Sequence, residues 1–399
     1  MTVRSTRLEV DLDALGRNVR DLRAFIDETS SAADAAARSR PALCAVLKAD
    51  AYGLGALRAA REFADNGADM LAVACLQEAL EIRRGFGGVP PRPILVMGHT
   101  PDEGLEEAAG ADIRATIFDL RQAVLLSRAA AASRRTARVH VKIDSGMNRL
   151  GIKPDEGTPA LLAAMAALPG LEIEGIFTHL ALLDAESDRR QFELCMGVVG
   201  AAEGLGLRFA YRHVCDSIGL ARYPAYRLDL VRAGAILYGA RPSGAPLAAD
   251  LEIRVPFAFR TRVSRLRHIG PGEGVGYDHT WRAPAGGADI ATLPVGYVDG
   301  YRRCLSNRGE VVLRGKRAPV VGLVCMDQLV VDATGIEGAR EGDEVLLFGR
   351  SGQDELGLLE VAAWAGTNRN EVLASIGRRV PRVYHRSGAP AGVVDYLSP

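Results

Sequence analysis

Lys48 follows four apolar residues, CAVL (44–47), at the end of a stretch that reads as a buried strand. An amine in such a place is costly unless it is paired or chemically used. Desolvation lowers its pKa and frees the lone pair for attack on an aldehyde. The competing reading is a strand-end lysine that runs its stem along apolar surface and keeps its ammonium in water. AYGLG (51–55) follows at once, with Tyr52 four residues on and two glycines that permit close backbone approach. The segment is neither a P-loop nor a GxGxxG fingerprint.

Other reactive types recur at similar places. Arg149 stands in KIDSGMNRLG, His179 in EGIFTHL, Ser217 in HVCDS, and Arg232, Gly234 and Ala235 in VRAGAILYG. Each has a plain structural reading beside the chemical one. A lone histidine at a strand end is more often structural than catalytic. Arg232 has an acid three residues away, Asp229, with which to pair. Lys142, inside VHVKID, could do the same with Asp144.

Stepping from side chains to the elements that carry them, eight short apolar runs alternate with helix-patterned segments. The runs are 42–49, 70–75, 93–98, 114–119, 138–144, 172–180, 211–217 and 230–239. Between them lie stretches such as ALRAAREFADNG and LQEALEIRRGFG, with helical periodicity and a closing glycine. Alternation of this kind implies parallel strands. Eight units predict an α/β fold with an N-terminal (β/α)8 barrel, although a doubly wound open sheet fits the periodicity too. A barrel carries its chemistry at the C-terminal ends of its strands, and often a phosphate site after strands 7 and 8. Lys48, Arg149, His179, Ser217 and Gly234 fall at or after the first, fifth, sixth, seventh and eighth runs.

SGAPLAAD (243–250) reads as a linker. Beyond it, Val-rich alternating segments separated by Gly turns predict antiparallel strands, with helices in ELGLLEVAAWAG and around NEVLASIGRRV. The expected domains are a barrel over 1–245 and a mainly-β domain over 246–399, the first ~10 residues pairing with the latter.

The chain has 399 residues, with 49 basic and 49 acidic side chains. Balanced charge gives no footprint for nucleic acid or an anionic membrane, so any anionic ligand must be held by local groups. The six scattered cysteines form no CxxC pair, which argues against a zinc site or a disulfide framework and for a reducing cytoplasm. No apolar leader precedes the first predicted elements, and no run is long enough to span a bilayer.

Taken together, AVLKADAYGLG (45–55), KIDSGMNRLG (142–151), EGIFTHLALLD (174–184), HVCDS (213–217) and VRAGAILYG (231–239) resemble the alanine racemase family. GVGY (274–277), LPVGYVDGY (293–301), VVGLVCMDQ (320–328) and RVPRVY (379–384) continue the match in order. The family is built as a (β/α)8 barrel and a C-terminal β domain, and its members are homodimeric pyridoxal 5'-phosphate (PLP) enzymes. The resemblance implies that Lys48 holds the PLP aldehyde covalently. Tyr52, Ser217 and the amides of Gly234 and Ala235 would bind its phosphate. Arg232 would face the pyridine nitrogen, His179 would pack against the ring, and Arg149 would contact the phenolic oxygen. Lys142 resembles a lysine that is carbamylated in many members. Tyr277, from the second subunit, would be the second catalytic base. Tyr297, Met326 and Asp327 would line the substrate site, and Asp184 would lie near the entrance.

The chemistry fits these roles. Racemisation removes a proton from one face of Cα and returns one to the other, which calls for two opposed bases. Tyrosine has a reference pKa of about 10 and needs help to act as a base near neutrality. A permanent cation opposite the pyridine nitrogen disfavours ring protonation and restrains side reactions.

Four residues depart from the family pattern. Asp216 stands where Asn is usual, Ala233 replaces Pro, Leu323 replaces an Arg, and Asn370 replaces a substrate-lining Tyr. Asn370 leaves room and a hydrogen-bond partner for a hydroxymethyl side chain. L-Alanine is the expected substrate, giving D-alanine for peptidoglycan, with serine or a broader range as the alternative. A basic amino-acid decarboxylase is disfavoured by Arg232 and the Tyr277 motif. A PLP carrier is disfavoured by the second domain, and an inactive relative by retention of Lys48 and Tyr277.

Overall fold

The computed structural model describes residues 4–29, 40–241 and 251–397. The predicted linker SGAPLAAD lies outside the described residues.

Eight parallel strands form the barrel. After β1 (Arg7–Asp11) they are β2 (Ala42–Val46), β3 (Met70–Val73), β4 (Ile94–Val96), β5 (Arg114–Ile117), β6 (Ala137–Lys142), β7 (Leu171–Phe177), β8 (Tyr211–His213) and β9 (Leu230–Ala233). The order β8-β7-β6-β5-β4-β3-β2-β9 is sequential, and β9 returns to pair with β2. The seam between β8 and β9 is bridged by Arg232 N donating to Cys215 O (3.0 Å) and Asp229 N to Arg212 O (3.1 Å). Strands buried on both faces read as continuous apolar runs, and Met70–Val73 is buried at every position.

The intervening helices turn one stripe inward. Ala56–Asp65 buries Ala56, Ala59, Ala60, Phe63 and Ala64, a spacing of three and four. Asp119 caps Leu120–Ser133 by accepting from Gln122 N (2.7 Å). The eighth apolar run is a strand only to Ala233. Gly234 then turns the chain into a 3-10 helix, Ala235–Tyr238, closed by Leu237 N to Gly234 O at 2.9 Å. This early turn directs the Gly234 region toward the barrel mouth.

The C-terminal part is mainly β. Its large sheet runs Lys316–Pro319, Glu310–Leu313, Glu344–Ser351, β10 (Phe257–Arg262), β1, Arg382–Arg386, Ala389–Val394. β1 pairs antiparallel with β10 (Leu8 opposite Phe259) and parallel with Arg382–Arg386. That parallel pair corrects the expectation of antiparallel strands throughout. It arises because β1 comes from the other end of the chain and is not bound by hairpin geometry. A three-stranded sheet (Arg265–Ile269, Ala288–Leu293, Leu329–Asp332) packs separately. Among the described residues no helix is long and apolar enough to cross a membrane.

Candidate active site

A cavity of about 670 Å³ opens at the C-terminal ends of the barrel strands. Lys48, Tyr52, Lys142, Arg149, His179, Ser217, Arg232, Gly234, Ala235 and Asn370 all line it. Five lining side chains are basic (Lys48, Lys142, Arg149, Arg232, Arg369) and one is acidic (Asp216), so the cavity is locally cationic in a chain of zero formal net charge.

Lys48 begins an unusual turn. Ala49, Asp50, Ala51 and Tyr52 all lie in the left-handed region, with φ of 54–56°. For L-residues this costs roughly 1–2 kcal/mol each. The turn is held by bonds from outside itself. Glu78 accepts from Ala49 N (2.6 Å) and Ala74 N (2.8 Å). Arg382 Nε donates to Gly53 O (2.9 Å) and Tyr384 Oη to Leu54 O (2.9 Å), both from the C-terminal sheet. Tyr396 Oη donates to Asp50. The clamped turn aims Lys48 and Tyr52 into one cavity. Burial lowers the Lys48 pKa, and the nearby Arg149 lowers it further, against Glu78 and Asp216. Lys48 is itself solvent-accessible at the cavity mouth, with its Nζ 6.0 Å from the Tyr52 ring centroid.

Arg232 is buried, and it does not pair with Asp229. That acid is bound by Arg212 (2.6 Å). Arg232 instead donates to His213 Nδ1 (2.7 Å), Thr178 O (2.9 Å), Val214 O (2.9 Å) and His179 Nδ1 (3.3 Å). All of these use its terminal nitrogens. No hydrogen bond among the described residues uses its Nε, and Nη1 makes only the one to His213, so donors are left over. Burial, with Arg232 and Lys142 beside it, carries the His179 pKa down to about 2 and keeps the ring neutral. Lys142 makes no ion pair with Asp144. Its Nζ stands 4.5 Å over the Phe177 ring. Burial, then Arg232 and Arg149, brings its pKa from 10.5 to about 7.

The phosphate end of a cofactor has a matching cradle. Ser217 Oγ accepts from Gly234 N (2.9 Å), which ties the two segments together. A Cβ on Gly234 would stand 2.6 Å from Tyr52 Oη, so only glycine leaves this wall open. Asp216 is not a free anion facing the cradle. Its Oδ1 accepts from Ile218 N (2.9 Å) and Gly219 N (2.8 Å), just before the short helix Gly219–Arg222. An amine of lowered pKa, a cationic cavity, a glycine-walled cradle and donors left over on Arg232 together fit PLP.

Profiles of two domains match the sequence: the alanine racemase N-terminal domain over residues 10–242 and the C-terminal domain over 257–384. The alanine racemase of Desulfovibrio desulfuricans is 39% identical over 380 residues, covering 94% of this chain and 97% of that one. The chain belongs to the alanine racemase family. Solved structures agree. The alanine racemase of Clostridium difficile 630 superposes with a TM-score of 0.90 at 32% identity and covers all of both chains. That of Bacillus anthracis with bound L-Ala-P gives 0.88 at 31%, covering 100% of this chain and 99% of that one.

Measured against the family pattern, the remaining expected residues do not line this cavity. Tyr277 is 70% exposed and Met326 51% exposed, and Tyr297 and Asp327 are exposed beside them on the C-terminal domain. The Met326 segment is tied to Tyr297 by Tyr297 N to Cys325 O (3.0 Å), and Arg379 grips Asp327 (2.6 Å). Asp184 caps the helix Ala185–Gly204 through Ser187 N (2.7 Å). Leu323 lies beside Gly276, next to Tyr277, and Ala233 is buried in register with Ala45. Sequence reasoning passed over Glu78, Phe177, His213 and Arg369. Phe177 was discoverable as the aromatic residue closing β7, and Arg369 as a cation adjoining Asn370. Glu78, on a neighbouring helix, gives no local signal.

Proposed function

We propose that the protein is a PLP-dependent isomerase that interconverts L- and D-alanine and supplies D-alanine for peptidoglycan. The observation that carries this reading is the Lys48 amine at the barrel mouth, its pKa lowered, facing a cationic, glycine-walled cavity. When bound, PLP supplies a conjugated ring that delocalises the electron pair left on Cα as its proton departs.

Lys48 holds the cofactor and moves the proton on one face of Cα. Its lowered pKa increases the share of the amine that carries a free lone pair. Ser217 and Tyr52, with the Gly234 and Ala235 amides, would hold the phosphate. Arg232 would face the ring nitrogen, where a permanent cation opposes protonation. Neutral His179 would pack on the ring, and Arg149 would contact its phenolic oxygen. Lys142, with a pKa of about 7, has the free amine that carbamylation requires.

Tyr277 serves the opposite face from a second copy of the chain, with Tyr297, Met326 and Asp327. One chain alone leaves these residues exposed and the cavity without its second base, so activity requires a two-fold homodimer. The six thiols, all free, suit a reducing cytoplasm.

Asn370 at the cavity favours a second reading, in which serine or a wider range is accepted. Enantiomer-resolved chromatography of PLP-loaded protein with L-alanine and L-serine tests both. Predominant D-alanine is expected. Comparable D-serine transfers the assignment to a broad racemase, and no D-product from either refutes the proposal.

A further inference from the structure

Below the cavity, a file of buried polar groups runs through the barrel interior from Arg232. His213 Nδ1 lies 2.7 Å from Arg232 Nη1, His213 Nε2 lies 2.8 Å from His140 Nδ1, and His140 Nε2 lies 3.3 Å from Glu174 Oε2. Both imidazoles are fully buried. Beyond Glu174 stand Arg114, at 3.2 and 3.4 Å, and Arg138, at 3.9 Å.

Arginine only donates, so His213 Nδ1 must accept. The His213 proton is then on Nε2 and is given to His140 Nδ1. That places the His140 proton on Nε2, facing the carboxylate. With one end a pure donor and the other a pure acceptor, a single proton ordering satisfies all three contacts. A doubly protonated ring at either position would set donor against donor. Burial keeps both rings neutral. Burial pushes the Glu174 carboxyl up, but hydrogen bonds from His140 and Arg114 outweigh it and hold the pKa at about 2.

The backbone is shaped around this file. A Cβ on Gly175 would meet His140 Nδ1 at 2.5 Å, so glycine makes room for the ring. The β6–β7 register shifts between Val139 and His140, a local irregularity of the sort that re-aims a side chain. Phe177 stacks on His213 with centroids 4.5 Å apart and planes 5° apart, which fixes that ring's plane.

We propose that Glu174 is a positioning residue for Arg232: as the anionic end of this file, it sets the proton order of His140 and His213 and so turns the guanidinium to leave Nε for the cofactor ring. The proposal rests on the PLP reading for its last step only. A carboxylate far from the cavity thereby influences the ring nitrogen without touching substrate or cofactor. An ion pair that merely staples the barrel's N-terminal end would have no such reach.

The test uses the full chain labelled with nitrogen-15 histidine, with and without PLP labelled at its ring nitrogen. Long-range proton–nitrogen spectra read the tautomers. In wild type, both rings are expected neutral with the proton on Nε2. Glu174→Gln keeps an acceptor, so it retains this order. Glu174→Leu removes the acceptor, changes at least one tautomer, moves the cofactor nitrogen resonance, and lowers kcat/KM by about ten-fold, the lower end of what losing a supporting partner costs. A proton on His213 Nδ1 in wild type overturns the proposal, whatever the variants do. So does Glu174→Leu protein with wild-type tautomers and an unmoved cofactor resonance. If wild type takes up no PLP, the functional reading fails, while the tautomers still judge the file itself.

Discussion

Lys142→Met removes a cation from a place where burial and two arginines oppose its charge more than Asp144 and Cys195 favour it. Lys142 is 6% exposed, lies over the Phe177 ring, and has Arg232 and Arg149 as its nearest like charges. Its pKa falls from 10.5 in the unfolded chain to about 7. At 1.36 kcal/mol per unit, a shift of about 3.5 units corresponds to a ceiling of about 5 kcal/mol. The sign follows from proton counts. Between the two values the unfolded chain binds the extra proton, so folding stability rises as pH rises from about 7 to about 10.5. Below about pH 7 the folded protein carries the full penalty. Methionine keeps the length without the charge. The variant is therefore expected to be more stable than wild type by several kcal/mol near pH 6, with the advantage fading toward pH 10. Denaturant unfolding of both proteins in carbon dioxide-free buffer measures the difference and cancels other titrations. A gap that stays constant with pH refutes the reasoning. Bicarbonate adds a second arm: a carbamate converts the amine into an anion between two arginines and should stabilise wild type alone. Equal responses would remove carbamylation.

Three further outcomes are expected. Gly234→Ala drives a Cβ to 2.6 Å from Tyr52 Oη. At roughly 1–3 kcal/mol for displacing the Tyr52 hydroxyl from the cradle, PLP affinity should fall about 5- to 150-fold; an unaltered absorbance titration counts against the cradle. Asn370→Tyr should lower serine turnover relative to alanine, and an unchanged ratio would acquit Asn370. Mixing Lys48→Ala with Tyr277→Phe protein should restore one working site per mixed dimer, whereas no recovered activity argues against shared sites.

The barrel was legible because strands buried on both faces are written as short apolar runs, and the eight runs map onto β2–β9. Lys48 was legible because a lysine ending such a run needs a reason. What escaped were features that depend on partners distant in sequence. Nothing local in KADAY announces four consecutive left-handed residues. They exist because Glu78, Arg382 and Tyr384 arrive from elsewhere to hold them. Arg232 had Asp229 three residues away and was as readily paired with it on paper. Only the fold shows that Arg212 takes that acid, leaving Arg232 to His213. Glu174 and His140 read as ordinary strand residues until β6 and β7 are set side by side.

The placement of β1 has a consequence for how the molecule is made. It lies inside the large C-terminal sheet, between β10 and Arg382–Arg386, at sequence separations of about 250 and about 375 residues. On the ribosome, this strand emerges before the barrel and waits for partners that emerge after it. Its exposed edges need cover during that interval, since unpaired strands invite pairing with other chains. The closing of this sheet also brings Arg382 and Tyr384 onto the Lys48 turn. Clamping of the Lys48 turn thus waits for the C-terminal strands, so a barrel without them would carry the same residues in an unclamped turn.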